Sequence, residues 1–191
     1  MALIAEQVVE EWLTRQGYFT IRGIKMGIDE IDLLAIKNHG VGKWEKIHVE
    51  VQVSIRPVNY ISGLTKERQE EFSIKGSGNA TKRTDEQLEL AVQDWIQKKF
   101  LSEKKQQIRH RLTGSEDWKF MFVHGIVKKE GELAFIRNHN VKTISIQEIL
   151  QSLGSGKFEY TTGSATDLIE LMELSVNSTG LKVISKRSTP L

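Results

Sequence analysis

Apolar positions along the chain change period several times, and each change marks an element. Residues 3–16 carry apolar side chains at 4, 8, 9, 12 and 13. That is the one-sided stripe of an amphipathic helix, which Gly17 closes. Residues 18–25 (YFTIRGIK) read as a strand, followed by a turn or bulge at Gly27. DEIDLLAIK, 29–37, is apolar on both faces and is expected to lie centrally in a sheet. After the turn NHGVGK, residues 44–54 form a third strand. Its HVEVQVS core alternates strictly, with Val49, Val51 and Val53 on one face and His48, Glu50, Gln52 and Ser54 on the other.

The stretch from Arg56 to Arg83 then shows no clear period. A loop of that length is usually functional or disordered, and its glycine-rich part is expected to be mobile. Thr84-Asp85-Glu86-Gln87 restarts order as a capping box. The helix it opens runs to about Phe100 and buries Leu88, Ala91, Val92, Trp95 and Ile96. Lys98 and Lys99 sit in its last turn, where the helix dipole favours cations. Residues 103–111 continue basic and helical, and 119–127 and 141–146 read as strands. Ser145 and Glu148 make a second capping box. A Gly/Ser-rich joint at 154–156 divides residues 1–153, a single α/β domain, from a helical extension over 154–191 with a last helix near 166–175. The expected order is helix, three-stranded antiparallel meander, crossover helix, two further strands and a helix, around a mixed central sheet.

Composition narrows the setting. A chain of 191 residues suits one sizeable core. It has no cysteine, which excludes disulfides and Cys-based zinc sites and permits a reducing compartment. The formal net charge of +2 leans basic but falls short of a dedicated nucleic-acid coat protein. Glu6, Glu10 and Glu11 interrupt the first apolar stripe, unlike a signal-peptide core. No apolar run approaches a membrane span. The expectation is a cytoplasmic protein that does not enter membranes.

The chemistry concentrates on two strands. A hairpin centred near Val41 sets Asp32 across from Glu50, with Cβ atoms about 5 Å apart on one face. Asp32 also interrupts Ile31, Leu33, Leu34 and Ile36, so it is expected at an apolar depth. Burying one unpaired carboxylate costs several kcal/mol. A divalent cation with hard oxygen ligands resolves two of them, and Mg²⁺ commonly takes one or two carboxylates plus waters and a substrate phosphate. A register slip of one residue would separate the pair.

Gly27-Ile28-Asp29-Glu30-Ile31-Asp32-Leu33-Leu34-Ala35, followed by Val49-Glu50-Val51-Gln52, resembles the PD-(D/E)xK nuclease superfamily, the restriction-endonuclease-like fold. The likeness is greatest to the compact, Holliday-junction-resolvase-like branch. It covers residues 1 to about 100 well and the remainder only in element order. The resemblance implies a metal-dependent nuclease, an endonuclease rather than an exonuclease, in which a Mg-activated water hydrolyses a DNA phosphodiester. Asp32 and Glu50 would be the metal ligands, with the backbone carbonyl of Val51 as a third, and Mn²⁺ could substitute for Mg²⁺. Glu6 would match the carboxylate that the leading helix often contributes; its plain alternative is a solvated helix Glu. Homodimers are common among enzymes of this resemblance.

The departure is Gln52, where the family pattern has Lys. Gln can hydrogen-bond a water but carries no charge. Lys66, Lys75 and Lys82 of the long loop are candidates to supply the missing cation. Arg56, Lys66, Lys75, Lys82 and Arg83 are the candidate nucleic-acid contacts, with Lys104, Lys105, Arg109 and Arg111 as a second basic run and Tyr60 and Phe72 placed to stack on bases. His48 shares the polar face with Glu50, and His124 reads as a core or rim residue. Two other readings stand beside the nuclease. One is a catalytically degenerate nucleic-acid-binding protein of the same fold; the other is an α/β interaction module whose carboxylates are surface chemistry.

Overall fold

Two tight turns fold residues 19–52 into an antiparallel meander, seen here in a computed structural model that describes residues 2–54, 56–76, 80–154 and Phe158. Strand β1 is Phe19–Met26, β2 is Asp29–Asn38 and β3 is Trp44–Gln52. The β2–β3 register runs from Asn38↔Trp44 to Leu33↔Val49. Strand β4, Lys119–His124, then joins β3 in parallel, and β5, Val141–Ser145, joins β4 in parallel. The result is a five-stranded mixed sheet in the order β1-β2-β3-β4-β5. Parallel neighbours require crossovers, and helices supply them. Helices α2 (Lys66–Glu71), α3 (Asp85–Lys99) and α4 (Glu103–Thr113) lie between β3 and β4, and α5 (Glu130–Asn138) lies between β4 and β5. Helix α1 (Ala2–Arg15) precedes the sheet and α6 (Ile146–Gly154) follows it.

Both faces of the sheet are covered, which explains why β2 is apolar on both sides. On one face Val9 and Leu13 of α1 and Ile149 and Leu153 of α6 pack with Leu33, Ala35, Val49, Val51 and Val123. On the other, Val92, Trp95 and Ile96 of α3 and Ile136 of α5 pack with Phe122. Ile108 of α4 closes over Ile31, Leu34 and Trp118 on that second face.

Both capping boxes form. Thr84 Oγ1 accepts from Gln87 N–H while Gln87 Oε1 accepts from Thr84 N–H. Ser145 and Glu148 exchange the same pair of bonds. The β4 strand stops at His124 rather than continuing to 127, and α5 is an element the periodicity does not announce. The described part of the long loop is more ordered than its composition suggests. It contains α2, capped by Thr65, and Val58 bridges to Val127. Glu132 of α5 is fully buried and accepts from Ile61 N–H at 3.0 Å, Ser62 N–H at 3.1 Å and the Ser62 hydroxyl at 2.6 Å. Residues 77–79, part of the glycine-containing tip of that loop, and the expected helix near 166–175 lie outside the described residues.

The Glu132 anchor yields a test. Glu132→Ala leaves two buried backbone N–H groups without their acceptor, and each such loss costs roughly 1–3 kcal/mol. Chemical denaturation should show a loss of about 3–5 kcal/mol, with exchange protection at the Ile61 and Ser62 amides falling most. Ser62→Ala, which keeps both amide bonds, should cost only about 1 kcal/mol.

Candidate active site

Strand alternation fails at Asp32. Leu33 packs on the α1 side, yet Ile31, two residues away, packs with Leu34 and Ile108 on the opposite side. Facing Asp32 on β1, between the pairs Arg22↔Leu33 and Ile24↔Ile31, is Gly23 with φ of +67°. That backbone conformation is easy for glycine and costly for a side chain with a Cβ. On the other side, the β2–β3 register ends at Leu33↔Val49, and Val51 N–H donates to Asp32 Oδ2 at 2.7 Å. Asp32 therefore sits where the sheet opens between β2 and β3, its carboxylate tied to the residue after Glu50. It is half-buried. Desolvation and then the Glu50 charge push its pKa up to about 7, against the opposing pull of Val51 N–H and Lys99.

Glu50 is enclosed, with 1% of its surface exposed. Its Oε1 accepts from Lys105 Nζ at 2.5 Å and contacts His48 Nε2 at 3.0 Å, while its Oε2 accepts from Lys99 Nζ at 2.9 Å. The His48 tautomer follows from donor counting. Arg109 has only protons to offer, and its Nη1 lies 2.8 Å from His48 Nδ1. Nδ1 must be the acceptor, so the ring proton is on Nε2 and is donated to Glu50. Burial pushes the His48 pKa down to about 4 against the pull of Glu50, which keeps the ring neutral. Burial also opposes ionisation of Glu50, but His48, Lys99 and Lys105 together hold its pKa down at about 2. Phe100 and Phe120 flank the imidazole edge-on, with centroids at 5.0 and 6.0 Å.

His48, Glu50 and Gln52 are thus no solvent face: the first two are among the most deeply buried side chains. Gln52 ends β3 beside His124, half-buried, with no side-chain hydrogen bond among the described residues. Glu6 on α1 is half-buried at the same end of the sheet. Desolvation, Glu30 and Glu50 all raise its pKa, against Arg22 and Lys25. Asp29 pairs with Lys104 at 3.2 Å, and Glu30 is exposed. Of the loop cations, Arg56, Lys66, Lys75 and Lys82 are exposed. Arg83 is not available as a surface contact. It is 5% exposed, donates to the Ser62 carbonyl at 2.8 Å and lies over the Tyr60 ring, so it holds the loop together.

None of Lys66, Lys75 and Lys82 has a charged partner at Glu50; the cations there are Lys99 and Lys105. Lys99 ends α3 and Lys105 lies in α4, far along the chain from β3. One trace of this is visible in the sequence. Lys105, Ile108 and Arg109 share one helical face, and a buried face that carries two cations requires a buried acceptor. Among the described residues, no three His, Cys, Asp or Glu side chains are grouped to hold a metal. The site offers two carboxylates.

No protein-family model matches the chain, and a search of curated proteins finds no significant match. Among solved structures, the chain overlaps one described as the protein of unknown function AF1548, at 14% identity and a TM-score of 0.44, over 94% of this chain and 78% of that one. The overlap is loose and says nothing of this chain's chemistry.

The Asp32 environment has a consequence for stability. A carboxyl whose folded pKa of about 7 lies above its usual 3.8 weakens the folded state progressively as pH rises through that window. Asn mimics the neutral form and can still accept from Val51 N–H. In metal-free buffer at pH 8, Asp32→Asn should therefore be more stable than the parent by about 1–3 kcal/mol, and the gain should vanish below about pH 4. Thermal denaturation across that range, with chelator present, checks this.

Proposed function

We propose that the protein is a metal-dependent endonuclease of the restriction-endonuclease-like fold that hydrolyses DNA phosphodiester bonds. The observation that carries this reading is the placement of Asp32 and Glu50 together at the opening of a mixed sheet, where Asp32 is kept from easy ionisation by the Glu50 charge and its own burial. Their donor chemistry fits a hard cation. Asp32 Oδ1 has no hydrogen bond among the described residues, and Glu50 Oε2 has one, to a half-exposed lysine. Asp32 and Glu50 would hold Mg²⁺ or Mn²⁺, with the Val51 carbonyl as a third protein ligand and water and phosphate completing the shell. When bound, such an ion acts as a Lewis acid on phosphate and generates a nucleophile from water.

The chain's own groups supply the rest. Val51 N–H orients Asp32, while His48 and Lys105 fix Glu50 through Oε1. The Gln52 amide, on the same strand two residues beyond Glu50, hydrogen-bonds the attacking water. Exposed Arg56, Lys66, Lys75 and Lys82 hold the DNA backbone, a contact that weakens steeply with salt. Glu6 adds a carboxylate from the α1 side.

One observation favours a second reading. Both oxygens of Glu50 already carry protein cations, as they would in a degenerate nucleic-acid-binding relative that no longer needs a metal.

Incubation of supercoiled plasmid with Mg²⁺ or Mn²⁺ separates the two. The nuclease reading expects nicked or linear product from the parent protein and none from Asp32→Ala or Glu50→Gln. It expects Gln52→Ala to be slowed by about 10²–10⁴-fold with its Mn²⁺ affinity kept, because it loses a positioning group and no metal ligand. Salt-sensitive DNA binding without cleavage under any of these conditions would instead establish the degenerate reading.

A further inference from the structure

The two lysines on Glu50 are not equivalent. Lys105 is 3% exposed, and its ammonium donates to both Glu50 Oε1 and the Lys99 carbonyl. His48 holds the same Oε1. Lys99 is the opposite case. Its side chain is 34% exposed, and its one ion pair among the described residues is to Glu50 Oε2. It stands at the end of α3, close enough to feel Asp32 and Glu30 as well as Glu50.

These differences separate a permanent partner from a replaceable one. A buried carboxylate must be neutralised continuously, because an unpaired charge there costs several kcal/mol. Lys105 cannot leave without stranding its own charge. Lys99 can, since a third of its side chain is exposed and its four-carbon stem is flexible. The next polar position along β3, residue 52, is a neutral glutamine.

Resting on the nuclease reading above, we propose that Lys99 is an exchangeable counter-ion. Its ammonium occupies Glu50 Oε2 until a divalent cation takes that oxygen. Displaced but still tethered to α3, it then supplies at the substrate phosphate the positive charge that Gln52 lacks. Lys105 and His48 stay on Oε1 throughout and keep the carboxylate in place.

The test is calorimetric titration of the full chain with Mn²⁺ alone, without DNA, on the parent protein, Lys99→Met, Lys98→Met and Asp32→Ala, with melting temperatures recorded for each. Losing a competitor should make Lys99→Met bind Mn²⁺ about tenfold more tightly, given the strength of a charge contact at this depth. Lys98→Met, which removes an exposed charge one residue away, should change affinity by less than about twofold. Lys99→Met should nevertheless nick plasmid more slowly than the parent. Mn²⁺ affinity unchanged or weakened in Lys99→Met, or tightened equally in Lys98→Met, overturns the exchange and leaves the nuclease reading intact if Asp32→Ala still loses binding. A parent protein whose Mn²⁺ binding does not depend on Asp32 overturns both.

Discussion

Glu50 is a carboxylate with 1% of its surface exposed, and much of the site's architecture is arranged to keep it charged. Three elements supply what it needs: His48 from its own strand, Lys99 from the end of α3 and Lys105 from α4. Arg109 extends the network by donating to His48 Nδ1 and to the Phe100 carbonyl, which ties α4 to the end of α3. Removing His48, Lys105 or Arg109 from this network is costly, because each of these deletions leaves a buried group unpaired. The same ties hold α4 over Ile31 and Leu34 and so close the core on that face.

Asp32 supplies the opposing strain. The sheet gives up regular alternation at this residue, places a left-handed glycine across from it and binds the Val51 amide to its side chain. A second carboxylate beside Glu50 and a broken strand pattern would be poor choices if stability alone were at stake. Local departures of this kind gather at functional sites, where the geometry they impose is what selection keeps. In this chain the departure and the buried charge meet at one end of the sheet, with Glu6 approaching from the other face.

How much of this was legible in the sequence depended on range. The hairpin register was readable as far as Leu33↔Val49 because one turn near Val41 determines it, whereas the opening of the ladder at Asp32, which ties its carboxylate to Val51 N–H, was not. Both capping boxes were readable for the same reason: Thr84–Gln87 and Ser145–Glu148 act over a single helical turn. The α5 helix was missed because EGELAFIRN is short and offers only Leu133 and Ile136 as fully buried apolar anchors. The α2 helix was missed because KERQEE buries nothing at all. Lys99 looked like an ordinary cation at a helix end, and Arg83 like a loop cation open to phosphate. Their true surroundings depend on the crossover that brings α3 and α4 over β3 and on Glu132 holding the Ile61–Ser62 turn. Contacts between residues so far apart in sequence leave almost no local signal.

Anomalous diffraction from crystals soaked in Mn²⁺ at neutral pH bears most directly on the account. A peak should appear between the carboxylates of Asp32 and Glu50, with Lys105 and His48 still on Glu50 Oε1 and the Lys99 ammonium withdrawn from Oε2. A saturating soak that leaves no peak there, with Lys99 and Lys105 both still seated on Glu50, would contradict it.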